Sequence, residues 1–200
     1  ETRQGAVEQF VHRFLDGMPG VGAGQRRPYE RGFIRRYMLD QAEVKVFTAP
    51  HLSADSYRDA CRSALDYAAT CGQAWDLAII QIDEASHMYS GDDDPYLVTK
   101  SMFMKRQVPV QEVTIEKMTT QPGELAYILS DISLAVYAKL GGTPWLIPSD
   151  NTIAHELVIG LGSYHATNSR IGSAERFVGI TTVFSGDGRY MRESRAAAVQ

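Results

Sequence analysis

Leu77-Ala78-Ile79-Ile80-Gln81-Ile82 is a near-continuous apolar run of strand length, the pattern of a β-strand covered on both faces. The segments around it set the fold class. Asp92-Asp93-Asp94-Pro95 puts an Asp at an N-cap and a Pro at the first helical position, so a helix starts there and runs to about Lys105. Val110-Gln111-Glu112-Val113-Thr114-Ile115 alternates as a second strand. Leu125, Ile128, Leu129, Ile132, Ala135 and Val136 then trace a helical stripe that stops at Gly141-Gly142, a natural C-cap. Pro144-Trp145-Leu146-Ile147 reads as a further strand. Upstream, Val44-Lys45-Val46-Phe47 reads as a short strand, and Ser53 caps a helix to about Ala69 with Cys61, Ala64 and Ala68 turned inward. Strands alternating with helices predict an α/β domain, a Rossmann-like parallel sheet with covering helices.

After about residue 150 the helices stop. Residues 156–160, 176–184 and 189–191 read as strands, and Gly186-Asp187-Gly188 is a hairpin turn. This predicts the opening antiparallel strands of a second domain. The expected division is an N-terminal helix and linker over 1–43, the α/β domain over 44–149 and the incomplete second domain over 150–200. Within the first segment Phe10, Phe14 and Leu15 share a helical face. The glycines from Gly17 to Gly24 match neither nucleotide-binding fingerprint and follow no strand, which predicts a flexible linker.

Composition narrows the function. With 44% hydrophobic residues in 200, the chain can bury a core. Its 20 Lys+Arg against 24 Asp+Glu give a net charge of −4, which excludes binding to nucleic acid by bulk charge but not a local basic pocket. No apolar run reaches the roughly 18 residues that cross a bilayer. The start, Glu1-Thr2-Arg3-Gln4, is no secretion signal, and the missing initiator Met suggests a processed start. Cys61 and Cys71 lie ten residues apart on one helical stretch, about 15 Å, too far for a disulfide. A cytoplasmic setting is the expectation.

Four side chains merit a joint reading. Tyr96 and Lys100 share one face of the helix that begins at Asp94. Gln111 opens the next strand, and Lys139, in the last turn of the next helix, is expected to point toward the sheet. In doubly wound sheets, ligands bind at strand C-terminal ends and helix N-termini. Two ammonium groups, an amide and a phenol meeting there suit a phosphate monoester, with the Tyr ring as a stacking face for a base. Each alone has a plainer reading: an exposed helix pair for Tyr96 and Lys100, a snorkelling Lys139 that offsets its helix dipole, a strand-edge Gln111.

Tyr96-x-x-x-Lys100, Val108-Pro109-Val110-Gln111-Glu112-Val113 and Ala138-Lys139-Leu140-Gly141-Gly142-Thr143-Pro144-Trp145 together resemble the MID domain of prokaryotic Argonaute proteins. Glu156–Gly162 and Val178–Gly188 resemble the start of the PIWI domain, which has an RNase H-like fold. The resemblance covers roughly residues 75–195. It implies that Tyr96, Lys100, Gln111 and Lys139 hold the 5′-phosphorylated end of a guide strand, RNA or DNA, which pairs with a complementary target. It also implies Mg²⁺ beside that phosphate. Slicing members place their first catalytic Asp just after the Ile-Gly segment of the first PIWI strand; this sequence has Gly162 there, then Ser163 and Tyr164, and glycine cannot ligand a metal. The resemblance is therefore to short or catalytically inactive Argonautes, which implies target recognition without cutting, a partner effector (a sirtuin-like or TIR-type NAD-consuming module, or a nuclease) and defence against plasmids or phages.

Two alternatives stand beside it: an RNase H-like metal-dependent nuclease with an altered site, and a doubly wound module for a mononucleotide. Asp187, in its Gly-Asp-Gly turn, reads as a turn residue and not a catalytic one. His12, His51, His87, His155 and His165 show no ligand spacing with the cysteines, Asp92-Asp93-Asp94 lacks the rest of a calcium loop, and no Gly-x-Ser-x-Gly elbow occurs. Arg26, Arg27, Arg31, Arg35 and Arg36 interleave with Tyr29, Phe33 and Tyr37; this reads equally as a nucleic-acid backbone contact and as a solvated face with aromatic anchors. Arg170 and Arg176 are weaker backbone candidates.

Overall fold

The computed structural model describes residues 3–22, 27–85, 93–146, 157–166 and 175–189. The chain divides into two compact units, residues 1–142 and 143–200. The first holds α1 (Arg3–Asp16), α2 (Gly32–Arg36), α3 (Ala54–Thr70), β1 (Ala78–Ile82), α4 (Pro95–Met104), β2 (Val110–Thr114), α5 (Ile115–Met118) and α6 (Pro122–Lys139). The second holds β3 (Leu157–Ala166) and β4 (Glu175–Ser185).

β1 and β2 pair in parallel, Ala78 opposite Val110 through Ile82 opposite Thr114, with α4 as the crossover. A parallel pair joined this way must be covered on both faces, and two apolar clusters do so. On one side Phe10, Phe14, Met18, Tyr29 and Phe33 meet Val113, Met118, Leu125, Leu129 and Val136, with Ile79 against them. On the other, Cys61 and Ala64 of α3 and Phe103 of α4 meet Ala78, Val108 and Val110, with Ile80 against them. Neighbouring strand residues thus serve opposite layers, and the α/β reading of the first unit holds at that level.

The caps fall where the sequence places them. Ser53 Oγ accepts from Ser56 N–H at 3.3 Å, and Asp94 Oδ1 accepts from Tyr96 N–H at 2.8 Å and Leu97 N–H at 3.2 Å, each meeting donors a helix start leaves unpaired. Gly141, at φ +89°, takes the chain out of α6, and Gly142 N–H returns to Tyr137 C=O at 2.9 Å.

Three expectations are corrected. Val44–Phe47 is not a strand. Val44 and Val46 are 47% and 42% exposed, and Phe47 is spent edge-on against Tyr67 and Trp75; β-branched residues favour a strand only where a pleated neighbour receives them. Residues 143–146 form no strand either: Trp145 is 66% exposed, and Pro144 cannot donate to a ladder. Ile147 and the expected boundary near 149–150 lie outside the described residues. Finally, the glycine stretch is no slack linker as far as it is described, to Gly22. Met18 is buried, its N–H donates to Tyr29 C=O at 2.7 Å, and Tyr29 Oη donates to Phe14 C=O at 2.7 Å. Helix α1 and its loop are part of the first unit's core.

In the second unit β3 and β4 run antiparallel, with a register shift between Gly160 and Leu161, as the helix-free sequence predicts. Ser185 and Arg189 close the turn after β4: Ser185 N–H donates to Arg189 C=O at 2.9 Å and Gly188 N–H to Ser185 C=O at 2.8 Å. The expected strand 189–191 lies beyond Arg189, outside the described residues.

Candidate functional site

Lys139 closes α6, and Gln111 is the second residue of β2. Lys139 Nζ donates to Val110 C=O at 2.7 Å and to Gln111 Oε1 at 2.8 Å. An ammonium has three donor protons, so these two bonds aim Nζ at the strand and leave one proton for another acceptor. The amide is oriented by the same network, because the atom facing an ammonium must be its oxygen; Nε2 then donates to Glu112 C=O at 2.8 Å.

Helix α4 supplies the other two residues. Lys100 Nζ lies 5.3 Å from the centroid of the Tyr96 ring, a cation–π contact between residues four apart on one helix. Tyr96 is half-buried and packs on the cluster around Phe103 and Val108. The two lysines feel each other. Burial pushes the Lys139 ammonium below the ordinary lysine range, the Lys100 charge pushes the same way, and Glu112 opposes both. Lys139 is exposed as a residue; its head group is the part turned inward.

The four residues named from the sequence fall into two contacting pairs, Lys139 with Gln111 and Lys100 with Tyr96, and the two lysine charges act on each other. Gln111 and Lys139 lie away from the strand C-terminal ends where the doubly wound rule puts a ligand, whereas Tyr96 is in the first turn of α4. Gln111 starts its strand and Lys139 ends its helix, so this corner is the N-terminal end of β2 and the C-terminal end of α6. The other end of the sheet is closed by an ion pair. Arg3 grips Asp83 through two bonds of 2.7 and 2.8 Å, Gln81 Nε2 reaches the same carboxylate at 3.2 Å, and Glu84 N–H donates to Glu116 at 3.3 Å. Lys100 and Lys139 attract anions by side-chain charge.

Two participants were missed from the sequence. Val110 contributes a backbone carbonyl, which no residue type signals. Glu112 was not singled out in the sequence, yet its charge acts on Lys139.

In the second unit, Gly162 stands opposite Gly179 in the β3–β4 ladder. Asp187 is held within its own turn: it accepts from Ser185 Oγ and from Arg189 N–H at 3.2 Å, and pairs with Arg189 Nε at 3.1 Å. These hydrogen bonds, that from Ser185 first, lower its pKa. Among the described residues no group of three or more His, Cys, Asp or Glu is arranged to hold a metal ion. Arg170, His87 and His155 lie outside the described residues. Cys61 is a buried free thiol and Cys71 an exposed one, and no described helix is long and apolar enough to cross a membrane.

No protein-family model matches the chain. It is 35% identical over 196 residues to a protein of Cereibacter sphaeroides named Protein argonaute. The match takes in 95% of this chain and 24% of that relative, so the chain spans about a quarter of the relative's length.

Proposed function

The chain is an Argonaute-type sequence, and from that premise we propose that its first unit is a MID domain that anchors the 5′-phosphorylated end of a guide strand. The observation that carries this reading is the Lys139–Gln111 bond together with the Tyr96–Lys100 pair: two cations whose charges act on each other, one with a donor proton uncommitted and bonded to an amide that it orients. Lys100 and Lys139 supply charge to the phosphate, Gln111 adds a directional N–H, and the Tyr96 ring offers a stacking face to the first base. The donor set does not fit Mg²⁺ on its own, since two ammonium groups against the single carboxylate of Glu112 make a cradle for an anion.

The test compares 5′-phosphate with 5′-hydroxyl oligonucleotides of one sequence. The phosphate form is expected to bind more tightly, with a preference that shrinks but persists as salt rises. Equal affinity for the two ends removes the assignment, and free nucleotides competing as well as phosphorylated strands favour the mononucleotide module.

The strands β3 and β4 are read as the start of a PIWI domain, with Gly162 in the place of the first catalytic Asp. Recognition without cutting, with a partner effector to act in defence, is the reading that Gly162 supports. Guide–target duplexes with Mg²⁺ or Mn²⁺ are expected to stay intact. Asp187→Asn should loosen only the turn after β4; metal-dependent cleavage that this change abolishes would establish the nuclease reading instead.

A further inference from the structure

Arg27, Arg31, Arg35 and Arg36 are all exposed, and the corner around Lys139 uses none of them. Their backbone is fixed from inside. Tyr29 and Phe33 are 2% and 4% exposed, the Phe33 ring stacks on Phe14 with centroids 4.8 Å apart, and Gly32 lies against the backbone of residues 15–17. The aromatic anchors expected from the sequence are therefore real for these two, and they hold the guanidinium groups on a rigid base.

Arg27, Arg31 and Arg36 line a cavity of about 200 Å³ together with Glu30. Their charges are unevenly answered. Glu30 pairs with Arg27 at 2.7 Å. Arg36 donates to the neutral Ser130 Oγ at 3.0 Å and lies 5.9 Å over the Tyr37 ring. Neither Arg31 nor Arg35 makes an ion pair among the described residues. In a chain of net charge −4, Arg31, Arg35 and Arg36 have no ion-pair partner among the described residues, and with Arg27 against the one Glu30 they give residues 27–36 a net positive charge that attracts polyanions. Each presents a planar fork of donors that fits two phosphate oxygens.

This face is separate from the Lys139 corner. Ser130 and Lys139 are nine residues apart on α6, two and a half helical turns, so Arg36 and the site at Val110 lie on opposite sides of that helix. We propose that the arginine face binds the sugar-phosphate backbone of a nucleic-acid strand, at phosphodiesters away from its 5′ end. The proposal deepens the reading of the chain as a nucleic-acid binder and does not depend on which end is recognised.

The experiment measures binding of single-stranded oligonucleotides with 5′-phosphate and 5′-hydroxyl ends across a salt series, for the wild type, Arg31→Gln/Arg36→Gln and Arg58→Gln/Arg62→Gln. The last pair removes the same charge from α3, where both arginines are already paired with Asp55 and Asp59. The first pair is expected to weaken both oligonucleotides by one common factor. The slope of log affinity against log salt should become shallower by about 0.7 for each phosphate no longer neutralised, with the ratio between the two ends unchanged. The α3 pair should leave the slope as in the wild type. Arg31→Gln alone, which removes no described hydrogen bond, repeats the test without disturbing any bond that holds the fold. An unchanged slope in both arginine-face variants overturns the proposal, as does an equal change in the α3 pair, or a poly-glutamate peptide that binds the wild type as tightly as the oligonucleotide. A wild type that ignores the 5′ end, but whose slope responds to Arg31, overturns the end-binding reading and leaves this one standing.

Discussion

Gly17→Ala and Gly32→Ala are each expected to cost about 3–5 kcal/mol of folding stability, the sum of a left-handed backbone penalty and overpacking. The two glycines face each other where α1 gives way to its loop. Gly17 sits at φ +93°, and a Cβ built there falls 2.4 Å from Gly32 N and 2.6 Å from Glu30 C=O. Gly32 sits at φ +64°, and its Cβ falls 2.3 Å from the Asp16 carbonyl carbon and 2.3 Å from Gly17 N. Every obstruction is backbone, so no rotamer change relieves it. Because a domain of this size is stable by roughly 5–15 kcal/mol, either change removes a large share. Two glycines separate the causes: Gly20 and Gly72 also have positive φ, +79° and +64°, but nothing lies within 4 Å of a Cβ there, so alanine should cost only about 1–2 kcal/mol. Equilibrium urea unfolding of the four variants decides it. Equal midpoints for all four would show that the close approach of the two backbones contributes nothing.

That glycine contact marks the limit of what could be read from residue types. Caps at Ser53, Asp94 and Gly141 were legible because each meets its partner within four residues, and the chemistry of a helix end is local. The parallel pair of β1 and β2 was legible from two apolar runs flanking a capped helix. Gly17 and Gly32 were not, since fifteen residues and a reversal of direction bring them together; a glycine-rich loop with one backbone pressed on another reads in sequence like a linker. Val44–Phe47 failed for the opposite reason. Its residues carry strand propensity, but propensity is worth at most about 1 kcal/mol, and the aromatic contacts of Phe47 with Tyr67 and Trp75 win. In the candidate site, Tyr96 and Lys100 were paired correctly by helical spacing. The bond between Gln111 and Lys139 was not legible from a general rule about strand C-terminal ends, because Gln111 begins β2 and Lys139 ends α6.

Lys100→Ala/Lys139→Ala is expected to abolish the preference for a 5′-phosphate. Two charged contacts at about 1.5–3 kcal/mol each correspond to a loss of roughly 10²–10⁴-fold in affinity for the phosphorylated strand, with little change for the hydroxyl strand. The single variants are not equivalent. Lys139 carries the structural bonds to Val110 and Gln111, so its loss frees the amide as well as removing a charge; Lys139→Arg should recover part of the preference. Lys100→Gln gives up the cation–π contact with Tyr96 but removes a like charge that acts on a partly desolvated ammonium, so stability should change by no more than about 1 kcal/mol while the phosphate preference falls, a separation that a purely structural role for Lys100 does not produce. The pH dependence carries the same signature. Phosphate needs Lys139 protonated, and in the free protein its pKa is lowered by burial first and by Lys100 second. As pH rises, the preference should therefore decline before an ordinary lysine would titrate, with a proton taken up on binding in that window. In Lys100→Gln the second cause is gone, the Lys139 pKa rises, and what remains of the preference should persist to higher pH. If titrations of the 5′-phosphate preference in wild type and Lys100→Gln superimpose, the two ammonium groups are not acting on one phosphate, and the site dissolves into a surface lysine and a strand cap.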